Sequence, residues 1–341
     1  MKQTFSRSAA GLLLLLSGLL LVGCSSSEQQ EPPLPQLNTD SERLYLAGLS
    51  SGGYLAHQLH LAWPDEVRGV AVFAAGPYGC AREGLSAALH RCMAITRGAP
   101  QVDQTLSIIN TAAKEGAIGD PTALKNSRVY LYRGAADPLI HARVSQTLQQ
   151  TYAQLVPDGT LSHTGALAGH GFPTRKQGVL CSLTASPYVN ACGYDGAAAS
   201  LEHLDGEAQR DVSDEPQGSL TRFDQKPFKG ASKGLADWGY VYVPPGCAEG
   251  ACGLQVVLHG CDQTAEQVGE DFVRLTGYLQ QADARDLVML FPQARASLPN
   301  PKGCWDWWGY ESKVFDTREG PQMKAVRAMW QQLGSTVTDK P

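Results

Sequence analysis

Short apolar runs alternate along most of the chain with longer stretches in which apolar residues recur every three or four positions. The short runs predict strands at Arg43–Ala47, Gly69–Ala74, Arg128–Tyr132, Leu161–Ala166, Gly239–Val243, Leu254–Leu258 and Leu287–Phe291. The longer stretches predict helices at Gly53–Trp63, Thr105–Glu115, His141–Leu155, Gln267–Ala284 and Gly320–Leu333. Strands separated by helices argue for an α/β fold with a mostly parallel central sheet and helices on both faces. No fixed-period repeat is visible. Residues 193–236 break the pattern with a polar, Gly- and acid-containing stretch of little periodicity, read as a long excursion within one domain.

The first residues belong to a different class. Lys2 and Arg7 precede an apolar stretch from Gly11 to Gly23, too short to span a membrane comfortably and laid out like a secretory signal. It ends in Leu21-Val22-Gly23-Cys24, which looks like a bacterial lipobox. Residues 1–23 are therefore expected to be a lipoprotein signal peptide, cleaved before Cys24 with acylation of its thiol and new amine. Residues 24–40 follow as a polar, Pro-containing flexible tether, leaving 41–341 as the folded domain. Ser25, rather than Asp, after the lipidated cysteine favours outer-membrane sorting where the source has two membranes. The expectation is an exported bacterial lipoprotein, attached through Cys24 at the outer membrane, the cell surface or the periplasm.

Composition agrees with a globular chain. With 43% hydrophobic and 18% charged residues, enough apolar surface is available for a core, and whole-chain disorder is excluded. The net charge of −5 becomes −7 once Lys2 and Arg7 leave with the signal, and no basic run occurs, so nucleic acid is not an expected partner. Nine cysteines are an odd number, but with Cys24 lipidated the other eight can pair in an oxidising compartment. Local spacing suggests Cys80–Cys92, Cys181–Cys192 and Cys247–Cys252, leaving Cys261 with Cys304, one of many connectivities that eight cysteines allow. A zinc site is the competing reading. No CxxC pair and no His clustered with the Cys support it, so no metal is expected.

Gly48-Leu49-Ser50-Ser51-Gly52 fits G-x-S-x-G, the sharp strand-to-helix turn that presents a serine at its tip. A second match, Gly230 to Gly234 around Ser232, has neither a strand before it nor a helix after it. Ser50 needs a base to take its proton, and the base needs an acid to hold its tautomer. Asp137 follows the strand at 128–132 on a Gly/Pro-flanked turn, and His170 lies in a small-residue loop after the next strand. Asp120 and Asp158 are rivals for the acid. His141, at a helix start, and His163, inside a strand pattern, are rivals for the base. The order Ser, Asp, His is that of an α/β-hydrolase.

The order of elements is displaced. Such a fold has several strands before its nucleophile, one of them leading into the oxyanion loop, yet only about 26 residues separate Cys24 from Ser50. The missing strands lie after the histidine: 239–243, then 254–258 leading into His259-Gly260-Cys261, then 287–291 and a final helix. This reads as a circular permutation, which places residues 254–261 beside Ser50.

Taken together, the 48–81 segment, Asp137, the Gly169–Pro173 loop, the Val256–Thr264 segment and Gly303-Cys304-Trp305-Asp306-Trp307-Trp308 resemble the poly(3-hydroxybutyrate) depolymerases of the circularly permuted single-domain type. The resemblance implies Ser50 as nucleophile, His170 as general base and then acid, and Asp137 as its orienter. The oxyanion donors would be the backbone amides of Ser51 and Cys261, with Cys261 held by a disulfide to Cys304. No metal or organic cofactor is implied, and a monomer acting on a polyester or a small ester is expected. Trp305, Trp307 and Trp308 could wall the substrate, with one of the three in contact with it; core packing is the alternative role of the set. No separate polymer-binding module is expected after the catalytic domain, which leaves oligomers or amorphous polyester as substrates. A feruloyl or acetylxylan type of carboxylesterase is the alternative enzyme, and a non-catalytic surface-binding lipoprotein the alternative of another class.

Overall fold

In the computed structural model, which describes residues 1, 2, 4, 31–230, 232–247 and 251–334, eight strands form one sheet. Along the chain these are β1 (Leu44–Leu49), β2 (Gly69–Phe73), β3 (Arg128–Gly134), β4 (Thr160–Gly165), β8 (Ser219–Asp224), β9 (Trp238–Val243), β10 (Gly253–Leu258) and β11 (Leu287–Phe291). Their spatial order is β4-β3-β2-β1-β10-β11-β9-β8. Every pairing from β4 to β11 is parallel, and β9 and β8 are antiparallel additions at one edge. Strands β5 (Phe172–Thr174), β6 (Val179–Leu180) and β7 (Val189–Ala191) make a separate small sheet. The helices are α1 (Ser51–Ala62), α2 (Leu85–Ala87, continuing into a π-helical turn at Ala88–Met93), α3 (Val102–Lys114), α4 (Ala142–Leu155), α5 (Gly196–Asp205), α6 (Ala265–Val268), α7 (Asp271–Leu275), α8 (Tyr278–Arg285) and α9 (Pro321–Gly334).

Both faces of the sheet are covered, so its central strands are apolar on both sides rather than alternating. In β1, Leu44 and Leu46 enter the core cluster shared with α1, α3, α4 and α9. Tyr45, Ala47 and Leu49 enter the opposite cluster, shared with α5, α7 and α8. At the sheet edge β4 is polar and partly exposed.

The expected displacement of elements is present. Strand β1 pairs in parallel with β10, Leu44 opposite Leu254 through Gly48 opposite Leu258. Traced from β8, the chain would run β8, β9, β10, β11, α9, β1, β2, β3, β4, which puts the His259 loop before the Ser50 strand as in an α/β-hydrolase. The joint lies where α9 meets the residues feeding β1: the Leu37 and Thr39 amides both donate to the Leu333 carbonyl, at 3.0 and 3.2 Å. All four disulfides, Cys80–Cys92, Cys181–Cys192, Cys247–Cys252 and Cys261–Cys304, are formed.

Three expectations need correction. The stretch 31–40, read as tether, is docked: Leu34 is buried in the core, the Pro32 carbonyl accepts from Asp224, and the compact unit begins at Glu31. Two leucines among polar residues and prolines are too sparse to show as a period. The helix expected over Gln267–Ala284 is three, because Gly269 and Gly277 adopt positive φ (60° and 86°) and end each turn. The excursion 193–236 holds α5 and the edge strand β8, whose exposed face lacks the apolar alternation that marks a strand. The signal peptide, Cys24 and the first part of the tether lie outside the described residues.

Helix α1 is buried along its entire length, His57 and His60 included. The Tyr152 hydroxyl lies 2.7 Å from His57 Nδ1 and 2.9 Å from His60 Nδ1, and His60 Nε2 is 3.1 Å from Ser127 Oγ. Burial pushes both imidazoles down to about 3, His57 also through the charge of His60. An unfolded chain takes up protons at these sites from about pH 6.5 downward while the folded one does not, so stability present above that pH is lost as pH falls toward 3. Urea unfolding should show stability falling by about 1.4 kcal/mol per pH unit per histidine below pH 6; a flat profile between pH 7 and 5 would contradict this burial.

Candidate active site

Ser50 stands between β1 and α1 with φ 55° and ψ −118°, a region costly for a non-glycine residue, of order 1–3 kcal/mol. Its amide donates to the Phe73 carbonyl at 2.8 Å and its carbonyl accepts from Tyr54 at 3.0 Å, so neighbouring backbone holds the turn. The flanking glycines are required by space. A Cβ on Gly48 would lie 2.1 Å from the Gly52 carbonyl oxygen, and one on Gly52 would lie 2.3 and 2.4 Å from the Leu258 and His259 carbonyl oxygens. The end of β10 therefore presses directly on the elbow, as the permuted reading expects.

Asp137 and His170 are brought together. His170 Nδ1 and Asp137 Oδ2 are 2.8 Å apart, both side chains nearly inaccessible. The other carboxylate oxygen accepts the Leu139 and Ile140 amides at 2.8 and 3.0 Å, an Asx turn that Pro138 supports by fixing its own φ. With Asp137 accepting, Nδ1 carries the proton and Nε2 is left as the basic nitrogen. The His170 amide donates to Thr184 Oγ1 and the Gly169 amide to the Cys181 carbonyl, so the small sheet and the Cys181–Cys192 disulfide hold the histidine loop.

The rival residues have structural roles. Asp120 caps a 3₁₀ turn through the Thr122 amide, and Asp158 lies in the turn before β4. The His141 ring caps α4, and His163 is stacked on Tyr194, centroids 4.2 Å apart. Ser232 bonds Glu311 in a loop without an elbow.

Among the described residues, no carbonyl or side chain accepts the backbone N–H of Ser51 or of Cys261. A Cβ on Gly260 would lie 3.4 Å from Ser50 Cβ, so the loop carrying the Cys261 amide runs against the nucleophile elbow. Two links fasten these amides to one segment: the Cys261–Cys304 disulfide, and the Trp305 N–H donating to Ser51 Oγ at 3.3 Å.

Trp305, Trp307 and Trp308 are all buried, the packing role weighed for most of the set. Trp305 packs on His259, and Trp307 stacks on Tyr54 at 4.2 Å. Trp308 packs edge-on to Trp307 and against Tyr310, and with 9% exposure it is the least covered of the three. Their loop is wrapped around Asp306, which the sequence did not single out. Its two oxygens accept the amides of Gly309, Tyr310, Glu311 and Ser312 at 2.7 to 3.2 Å. Burial raises this carboxyl to about 6 against the opposing pull of the four amides. The one cluster of metal-ligand type among the described residues, Cys247, Cys252 and Asp286, includes a disulfide pair, which removes both thiolates as ligands.

Comparison with known proteins gives consistent relatives. The poly(3-hydroxybutyrate) depolymerase of Delftia acidovorans is 37% identical over 334 residues, which cover 96% of this chain and 66% of that protein, so this chain spans just under two thirds of its length. The polyhydroxybutyrate depolymerase of Talaromyces funiculosus is 34% identical over 336 residues, covering 92% and 96%. Among solved structures, the PHB depolymerase from Penicillium funiculosum superposes with a TM-score of 0.83 at 31% identity, covering 89% of this chain and all of that one. A serine-to-alanine PHB depolymerase complexed with an R3HB trimer gives the same values. No family model matches the chain.

The contact of Gly52 with β10 leaves no room for a methyl group. Gly52→Ala should cost about 3 kcal/mol or more in urea unfolding; a variant as stable as the parent would show that β10 does not press on the elbow.

Proposed function

The chain belongs to the poly(3-hydroxybutyrate) depolymerase family, and from that premise we propose that it hydrolyses poly(3-hydroxybutyrate) or related short-chain hydroxyalkanoate esters through an acyl-enzyme on Ser50. The observation that carries the reading is the buried 2.8 Å bond between His170 Nδ1 and Asp137 in a chain whose G-x-S-x-G serine sits on a strained elbow. Such a bond fixes the tautomer in which Nε2 is free to accept the serine proton.

In this mechanism Ser50 Oγ attacks the ester carbonyl carbon as its proton passes to His170 Nε2. The tetrahedral oxyanion is held by the Ser51 and Cys261 amides. Collapse expels the alcohol end of the substrate, which takes the proton from His170, and leaves the acyl group on Ser50. Water then gives a proton to His170 and attacks the acyl carbon. The second collapse returns the proton to Ser50 and frees the hydroxyacid end. Asp137 stabilises the imidazolium without taking its proton. Of the three tryptophans, Trp308, the least covered, is the one proposed to contact the substrate. The enzyme acts as a monomer, exported and held at a membrane through an acylated Cys24, a reading supported by the charged, apolar and Leu-Val-Gly-Cys sequence of residues 1–24.

Two experiments test this. The folded protein should label with a fluorophosphonate and clear amorphous poly(3-hydroxybutyrate), and Ser50→Ala should lose labelling and at least about 10⁴-fold of the turnover. Turnover of feruloyl or acetylxylan esters with no polyester cleavage would move the substrate to that class, and no labelling would remove the enzyme reading. In a bacterial host, Cys24→Ser should shift the protein from the membrane to the soluble fraction with its esterase activity intact; an unchanged distribution would exclude the lipid anchor.

A further inference from the structure

A cavity of about 660 Å³, within the usual range for a small-molecule site, lies between α5 and α8 and is bounded also by residues 174–177 and 207–215. None of Ser50, Asp137 and His170 lines it. Its wall includes Arg285, whose side chain is buried, the residue being 3% exposed. Nε donates to Gln281 Oε1 at 3.1 Å and a terminal nitrogen donates to the Gly206 carbonyl, both neutral acceptors. Among the described residues no carboxylate stands within 4 Å of this guanidinium. The neighbouring Asp205 is committed elsewhere, since Arg43 occupies both its oxygens at 2.9 and 2.8 Å. Burial pulls the Arg285 pKa down, and the charges of Asp205 and Glu202 oppose that pull without contact. A buried charge without a paired counter-charge is rare and costly.

Two more polar groups of the same wall lack partners. Thr276 is 1% exposed, and its hydroxyl neither donates nor accepts among the described residues. The Gln280 side-chain nitrogen donates to the Asp214 carbonyl at 3.2 Å, which fixes the orientation of the amide and leaves the buried Oε1 without a donor. A buried cation, a hydroxyl and a carbonyl oxygen on one cavity suit a ligand that is anionic at one end and carries a hydroxyl a few ångströms away. Gln280 and Arg285 are about 7.5 Å apart along the axis of α8, a span that a four-carbon hydroxyacid or its dimer can bridge. Glu202, Glu207 and Glu215, which also line the cavity, are exposed to solvent and weigh against a second negative charge on the ligand. We propose that this cavity is a second ligand site, taking a short hydroxy-monocarboxylate with its carboxylate on Arg285 and its hydroxyl donating to Gln280 Oε1 and accepting from Thr276 Oγ1. The choice of 3-hydroxybutyrate as that ligand rests on the function proposed above, whose product it is.

Calorimetric titration with (R)-3-hydroxybutyrate tests this, beside butyrate, which lacks the hydroxyl, and inorganic phosphate, which carries more charge. The wild-type protein and Ser50→Ala should show the same saturable binding of 3-hydroxybutyrate, with butyrate about three- to tenfold weaker and phosphate weaker still. Thr276→Val removes a hydroxyl that has no partner within the protein, so its melting temperature should equal or exceed that of the wild type while its affinity falls about three- to tenfold. Arg285→Gln should lose at least about tenfold in affinity; if that variant does not fold, Thr276→Val decides. No saturation by about 10 mM ligand, an affinity unchanged in either folded variant, butyrate or phosphate bound as tightly as 3-hydroxybutyrate, or a Thr276→Val protein less stable than the wild type would overturn the proposal. Polyester clearing by the same preparation keeps the two readings apart. Wild-type protein that cleaves the polyester and binds no hydroxyacid removes this inference alone. Wild-type protein without ester turnover removes the proposed function and the reason for choosing 3-hydroxybutyrate, while the site itself is judged on the titration.

Discussion

The parallel pairing of β1 with β10 is the contact on which the rest of the molecule depends. It joins strands about two hundred residues apart in the chain, and through Gly48 opposite Leu258 it sets the serine elbow and the His259 loop side by side. Parallel strands need both faces covered, and the two strands supply apolar residues to both helical layers. Were the register to slip by one residue, every side chain of β1 would change face, and the carbonyls at the end of β10 would no longer meet the gap left by Gly52.

Polar groups confined by this packing do different kinds of work according to what surrounds them. His57 and His60 are locked into a helix core and serve cohesion. His170 meets a carboxylate whose other oxygen is already satisfied by amides, so that one ring nitrogen is fixed by the carboxylate. Asp306 shows the same economy in a loop: one buried carboxylate replaces the hydrogen bonds that four consecutive amides would otherwise seek in water, and so gives shape to a segment without regular structure.

The strands buried on both faces were legible in the sequence because nearly every residue in them is apolar, Gln255 of β10 being an exception, and Leu287–Phe291 has the same bounds in both readings. The elbow was legible because its glycines answer to a steric need, and the Asp137–His170 pair because strand ends alternate with Gly-rich turns. Strand β8 and the docked residues 31–40 were not, since their burial is one-sided or carried by isolated residues such as Leu34. The tryptophans illustrate a deeper limit. Residue type marks Trp305, Trp307 and Trp308 as large and apolar, but whether such a residue lines a pocket or fills a core is decided by partners such as Tyr54 and His259, which are far away in the sequence.

The displaced order of elements also bears on how the molecule comes into being. Synthesis delivers the serine elbow, the aspartate and the histidine first, yet the strand that must lie beside the elbow arrives some ninety residues after the histidine. Until then β1 has one neighbour instead of two, and its other edge is an unpaired row of amides and carbonyls. The final pairing closes a very long loop, a step of high contact order that comes late. A chain cut short before β10 holds the Ser50 turn and the Asp137–His170 pair but has nothing on the second edge of β1, so the carbonyls that close against Gly52 arrive only with the later strand.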